Sequence, residues 1–254
     1  MELSPTERFS ARVDAYIKYR PSYPTQIIDY LKSETGLSPE HIVTDIGSGT
    51  GFLSKLFLEN GNTVFGIEPN NPMREAAEKF LAGYRNFISI SGRAENTFLK
   101  NNSVDFITAG QAFHWFEPEA TKKEFQRIVR KEGILVLIWN RRKMEEDPLQ
   151  RGYEEILRSK IPEYSKVDHK NIDVEKIKEF VAPAVLHIES FDHFQLFDFE
   201  NMLGRLLSAS YCPEETSGPF KSIREQLFAL FNENASDGKV KFVYKAMVYW
   251  AAFQ

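Results

Sequence analysis

The sequence predicts an α/β fold built on a parallel, doubly wound sheet. Short apolar runs of strand length, such as Ile134-Leu135-Val136-Leu137-Ile138-Trp139, have no polar face, the pattern of a strand covered on both sides. Stretches of helical periodicity alternate with these runs through the first half of the chain, five times over. That alternation is the sign of parallel strands joined by right-handed crossovers. A glycine turn, Gly47-Ser48-Gly49-Thr50-Gly51, stands between the first run and the helix after it.

At the start, Phe9, Val13, Tyr16 and Ile17 share one helical face, and Tyr19-Arg20-Pro21-Ser22-Tyr23-Pro24 follows. The two prolines force an extended turn. Two readings stand. The segment is a surface helix docked by its aromatics, or a lid that turns Tyr16, Arg20 and Tyr23 inward, Arg20 meeting a carboxylate of cofactor or substrate. A helix over 25–35 takes Thr25 as its N-cap and stops at Gly36. Strand one covers 42–46, and Phe52, Leu53, Leu56 and Phe57 mark the next helix, closed by Asn60-Gly61. Strand two ends at Glu68, Pro69 to Pro72 make a turn, and 73–81 is helical. Strands over 87–90, 104–109 and 134–139 follow, with a helix over 117–129. Beyond Asn140 the composition shifts. Residues 141–147 read as a solvated, charge-rich loop, and helices are expected over 149–157, 174–181, 199–210 and 220–231. Strands are expected over 184–197 and 240–250. No internal repeat or low-complexity segment is visible.

The 254 residues fit one α/β domain with insertions, or a domain and a small cap. A hydrophobic content of 42% supplies a core, and a formal net charge of −4 gives no electrostatic argument for nucleic acid. Aromatics make up 13%, most of them core and some available to line an apolar pocket. The single cysteine, Cys212, excludes an internal disulfide and a cysteine-built metal site. The Met1 end lacks a charged-then-apolar leader pattern, and no run approaches the ~18–20 apolar residues of a membrane span. The expectation is a soluble, cytoplasmic protein, monomer or homodimer, without metal, membrane or nucleic-acid partner.

Ligand class follows from the spacing around the glycines. Alternate glycines let a ligand approach the main chain without meeting a Cβ. Glu68 lies about twenty residues on, at the carboxyl end of the second strand, where doubly wound folds hold a ribose diol. A dinucleotide loop of the form G-x-G-x-x-G/A would put Phe52 or Ser54 at its last position, and neither fits. A Gly-Lys-Ser/Thr phosphate loop is absent. The spacing D-x-G-x-G-x-G, from Asp45 to Gly51, resembles motif I of the class I S-adenosylmethionine (SAM) methyltransferases. Asp14-Ala15-Tyr16 with Tyr19-Arg20-Pro21-Ser22-Tyr23-Pro24, and Gln111-Ala112-Phe113-His114-Trp115-Phe116, resemble the trans-aconitate methyltransferase-like (methyltransferase type 11) branch. The resemblance runs to about residue 140, and the last hundred residues carry the branch only loosely.

The resemblance implies a Rossmann-like sheet of about seven strands, mostly parallel with the last antiparallel, plus helical cap insertions. It divides the chain into a lid over 1–24, a SAM-binding core over 25–140, and a part over 141–254 that completes the sheet and caps the substrate. SAM is the implied cofactor and S-adenosylhomocysteine the product. Gly47, Ser48, Gly49 and Gly51 would pass the methionine part, with Asp45 holding its amino group. Glu68, followed by Pro69, would accept both ribose hydroxyls. Met73 packs on the adenine or fills a helix core, and Ala94 offers main chain to the adenine edge. Arg93 stands where such families usually have Asp, and Glu95 is the replacement. Gln111 leaves strand four where the sulfonium should lie. Tyr16, Arg20, Tyr23, His114 and Trp115 are the substrate-side candidates, Trp115 and Phe113 giving π faces to the cation or filling core.

Methyl transfer from a sulfonium is an in-line displacement in which positioning supplies much of the acceleration. His114 is the candidate base if the nucleophile must lose a proton; its other reading is a structural hydrogen bond. A carboxylate acceptor needs no base, and Arg20, Arg141 or Arg142 would bind it. The implied activity is methylation of a small molecule, a carboxylic acid among the candidates. The alternatives are a methyltransferase for RNA or protein, a non-catalytic SAM-binding protein, and an NAD-dependent oxidoreductase, which the loop spacing disfavours.

Overall fold

The computed structural model describes residues 13–144, 147–162, 164, 173–209 and 211–253. Phe9, assigned above to the first helical face, lies outside them. Seven strands form one sheet in the order β3-β2-β1-β4-β5-β7-β6. They are β1 (Ile42–Ile46), β2 (Thr63–Ile67), β3 (Phe87–Ile90), β4 (Val104–Gly110), β5 (Val129–Arg142), β6 (His187–Phe197) and β7 (Val240–Ala252). The first five are parallel, and β7 runs antiparallel between β5 and β6. The chain reverses its direction across the sheet between β1 and β4, which opens a crevice at their carboxyl ends.

The helices are α1 (Val13–Tyr19), α2 (Gln26–Thr35), α3 (Phe52–Glu59), α4 (Asn71–Phe80), α5 (Pro118–Ile128), α6 (Pro148–Lys160), α7 (Val174–Val181), α8 (Phe199–Leu207) and α9 (Gly218–Asn234). On one face of the sheet, Phe125 of α5 and Phe180 of α7 share a core with Ile107, Leu137 and Tyr249. On the other, Ile27 and Leu31 of α2 and Leu53 and Phe57 of α3 pack with Val43, Val136 and Val248. A third core joins α6, α8 and α9 to the far end of β6 and β7 through Leu157, Met202, Leu227, Phe197 and Phe242. This helical layer stands beyond the carboxyl end of β5 and supplies walls for the crevice.

Four expectations change. The connection from β3 to β4 has no α-helix, so the alternation breaks there. Glu124 of α5 fixes that segment instead: its carboxylate accepts the Thr97 amide at 2.8 Å and the Thr97 hydroxyl at 2.6 Å. Thr25 does not cap α2, because its backbone is already helical (φ −64°, ψ −24°) and its hydroxyl makes no capping bond. Asn70 is a cap and not a plain turn residue: its side-chain oxygen accepts the Met73 amide at 3.0 Å. Arg141 and Arg142 are strand residues rather than loop, paired in register with Lys245 and Tyr244. A strand this polar persists because Glu154 of α6 meets the Arg142 charge at 2.7 Å.

Candidate active site

The glycine loop closes against β2. Gly47 and Ser48 donate to the Ile67 carbonyl at 2.8 and 3.1 Å. Gly47, Gly49 and Gly51 all have positive φ, at 68°, 54° and 88°. They differ in what surrounds them. A Cβ on Gly47 would lie 2.7 Å from the Ala112 Cβ, and one on Gly51 would lie 2.7 Å from Leu81 Cδ1. A Cβ on Gly49 would meet nothing closer than Met73 Cε at 3.9 Å. Gly47 and Gly51 are therefore demanded by packing, while Gly49 borders open space.

Two buried carboxylates flank this loop. Glu68, 8% exposed, accepts the Gly49 amide on Oε2 at 2.9 Å and the Asn70 amide on Oε1 at 2.8 Å. Each oxygen keeps a lone pair for a further donor. Burial pushes the Glu68 carboxyl above the ordinary range against those two hydrogen bonds. Asp45, 1% exposed, accepts the Ser54 hydroxyl on Oδ2 at 2.7 Å. Its Oδ1 is buried and has no hydrogen-bond partner among the described residues. Burial raises the Asp45 carboxyl to about 7, and the Glu68 charge adds to the effect.

Gln111 leaves β4 with φ 59°, an unusual conformation for a side chain of this kind. Its amide holds the Ile138 carbonyl at 2.9 Å and its Nε2 reaches the Asn140 carbonyl at 3.3 Å. It lines a cavity of about 350 Å³ that runs from Gly47–Thr50 to the helical layer. Tyr16, Arg20, Tyr23, His114 and Trp115 also line it. His114 and Trp115 sit on a 3₁₀ turn, Phe113–Trp115, with ring centroids 4.7 Å apart. Phe113 instead packs edge-on to Phe180 at 4.9 Å and belongs to the core.

The first segment packs on α8 and also lines the cavity. Tyr19 fills the space over Gly204 of α8, leaving no room there for a Cβ. Arg20 donates from Nη2 to the Ser208 carbonyl at 3.1 Å and lies 4.9 Å over the Tyr16 ring. Asn140 Nδ2 holds the Ser22 carbonyl at 3.1 Å. Burial raises the Tyr23 hydroxyl well above the usual phenol range, helped by Tyr16 and Asp45. The segment is docked by an aromatic and turns Tyr16, Arg20 and Tyr23 into the cavity.

Asp45, Gly51, Glu68, Pro69, Met73, Ala94 and Glu95 do not line the cavity. Met73 and Ala94 are buried beside the loop and its neighbouring core, at 6% and 4% exposure. Glu95 is turned to α5, where its Oε1 accepts the Glu117 amide at 2.9 Å. The structure also adds residues that sequence reasoning missed: Asn140, Tyr153, Tyr164, Arg205, Tyr211 and Tyr244 line the cavity. None sits in a motif, and Arg205 is a lone cation on the leucine-rich helix α8.

The residues fit a SAM molecule on three counts. Asp45 Oδ1 is an acceptor in need of a donor such as an ammonium, Gly49 leaves room for a ligand against the backbone, and Glu68 retains lone pairs for a diol. Residues 44–137 match a family model described as a methyltransferase domain.

Over residues 44–137 the chain is therefore similar to methyltransferase domains.

An uncharacterised methyltransferase of Mycobacterium tuberculosis is 35% identical over 134 residues, covering 53% of this chain and 52% of its own length. One from Schizosaccharomyces pombe is 30% identical over 133 residues, covering 52% of each. The matches thus span about half the length of these curated relatives. Among solved structures, a protein of Anaeromyxobacter dehalogenans described as a type II methyltransferase superposes with a TM-score of 0.63 at 18% identity, covering 93% of this chain and 98% of that one. A SAM-dependent methyltransferase of Aquifex aeolicus superposes with a TM-score of 0.53 at 14% identity, covering 99% of this chain and all of its own. These two likenesses show the fold alone. Among the described residues, no group of three or more His, Cys, Asp or Glu is placed to hold a metal, and no helix is long and apolar enough to cross a membrane.

Proposed function

We propose that the chain transfers a methyl group from SAM to a small organic acid. The observation that carries this reading is the cavity beside the glycine loop, which is walled by arginines and tyrosines. SAM, when bound, supplies an electrophilic methyl on a sulfonium. Asp45 Oδ1 would take its ammonium, Glu68 its diol, and Gly49 would let it lie against the main chain. Tyr16 and Tyr23 exclude water from the mouth, and Gln111, fixed by its bonds to Ile138 and Asn140, borders the reacting end. Arg20 and Arg141 supply positive charge for an acidic acceptor. A carboxylate nucleophile carries its own electron pair, so no side chain need remove a proton, and His114 serves as a wall of the cavity. Holding the acceptor in line is then the main work of the protein.

The test is a radiolabelled methyl-incorporation screen over small mono- and dicarboxylic acids, their amides, bulk RNA and bulk protein. Incorporation into acids and not into their amides is the expected result. Label in RNA or protein alone would overturn the small-acid reading.

A further inference from the structure

Four arginines face the cavity, and they are not equivalent. Arg142 is neutralised: Glu154 lies 2.7 Å from its Nη2, the Tyr164 hydroxyl accepts at 3.0 Å, and the Tyr153 ring lies 4.9 Å beneath the guanidinium. Arg20 and Arg205 have no acid within ion-pair distance among the described residues. Among the described residues the buried Nε atoms of both have no hydrogen-bond partner, a feature shared by Arg141 Nε and Arg142 Nη1, so it is the missing acid that sets Arg20 and Arg205 apart from Arg142. They also face one another closely enough to interact: burial and then the Arg205 charge lower the Arg20 guanidinium from its ordinary value. Burial works against the Arg205 charge too, and Tyr244, Tyr153 and Tyr211 offset it there. Two like charges drawn out of water toward one cavity, with no acid beside them among the described residues, are still costly unless the missing anion is a ligand.

Resting on the acid-acceptor reading above, we propose that Arg205, together with Arg20, is the specificity-determining clamp for an anionic group of the acceptor distinct from the atom that is methylated. The placement along β5 separates the two groups. Gln111 meets Asn140, whereas Tyr244, which lines the same end as Arg205, pairs with Arg142 two residues further on. Two strand residues are roughly 7 Å. An anion held by the clamp therefore lies about one short carbon chain from the Gln111 end. Tyr211 and Tyr244 add hydroxyls around it. The acceptor class is a molecule with two separated acidic groups, or an acidic group and a second nucleophile at that spacing. Arg142, by contrast, has its charge met by Glu154 and holds α6 to β5.

The test is calorimetry on the full chain with four probes: glutarate, its monomethyl ester, inorganic phosphate and S-adenosylhomocysteine. Glutarate is expected to bind the wild type more tightly than its monoester. Arg205→Gln and Arg20→Gln should each weaken glutarate roughly 10- to 100-fold, the size of a lost charged hydrogen bond. Both variants should bind S-adenosylhomocysteine within about threefold of the wild type, which also certifies their fold. Equal glutarate affinity in wild type and Arg205→Gln, with S-adenosylhomocysteine still bound, overturns the clamp and leaves the methyltransferase reading intact. Loss of S-adenosylhomocysteine but not glutarate assigns the arginines to the cofactor's own carboxylate and also overturns it. Tighter binding of phosphate than of glutarate supports the clamp and moves the acceptor toward phosphate esters.

Discussion

Glu68, just past β2, reaches across to the loop after β1, where its Oε2 accepts the Gly49 amide at 2.9 Å. One carboxylate thus braces the glycine loop and keeps lone pairs that, on the function proposed above, would receive the ribose diol. Replacing it by glutamine keeps the shape and removes the charge. The variant Glu68→Gln is expected to bind S-adenosylhomocysteine roughly 10- to 100-fold more weakly, because charge-assisted bonds are about twice as strong as neutral ones and two are affected. Calorimetry reads this directly, and unchanged affinity would remove Glu68 from the site.

If Asp45 receives the ammonium as proposed, cofactor binding depends on pH. Its carboxyl is raised to about 7 by burial, so at pH 6 most of the free protein holds it protonated. An ammonium ligand on Oδ1 requires the charged form. Affinity for S-adenosylhomocysteine should then rise as pH goes from 5.5 to about 7.5 and level off, with a proton released on binding below pH 7. For the free protein the sign is opposite. The raised pKa gives a stability contribution fully present below about pH 4, the unfolded value, and lost as pH rises through about 7. Asp45→Asn should flatten both dependences.

The loop glycines separate stability from binding. All three sit at positive φ, where a Cβ costs ~1–2 kcal/mol. Gly47→Ala adds a clash with Ala112, 2.7 Å away, and should lower the melting temperature more than Gly49→Ala does. Gly49→Ala has free space and should leave a folded protein whose Cβ stands where the cofactor belongs. Thermal melts with and without S-adenosylhomocysteine check the pair: ligand stabilisation should vanish for Gly49→Ala.

Glu154→Gln strands the Arg142 charge, whose side chain is only 13% exposed against 9% for Glu154. Breaking a buried pair from one side costs about 3–5 kcal/mol. For a chain of this size that is roughly a 6–20 °C fall in melting temperature. A shift under about 2 °C would show that Arg142 finds another partner.

The sheet was readable because buried parallel strands announce themselves as unbroken apolar runs, as in Ile134–Trp139, and because the chain turns at glycines with forced φ, such as Gly36 at 69°. The polar end of β5 was not readable, since Arg141 and Arg142 look like loop until Glu154 and Tyr244 are known to face them. The β3–β4 link misled for a similar reason: Glu124, distant in sequence, holds Thr97. Asp45, the glycines and Glu68 lie within one β-α-β unit, so spacing and the motif resemblance single them out as the proposed cofactor side. The acceptor side is assembled from α1, β5, α6, α8 and β7, and residues such as Arg205 converge only in three dimensions.

The most direct check of the account is calorimetry of the wild type with S-adenosylhomocysteine, titrated at pH 7.5 and again in the presence of excess NAD. One molecule bound per chain, unaffected by NAD and lost in Asp45→Asn combined with Glu68→Gln, is the result expected. Binding of NAD with no heat from S-adenosylhomocysteine would contradict it.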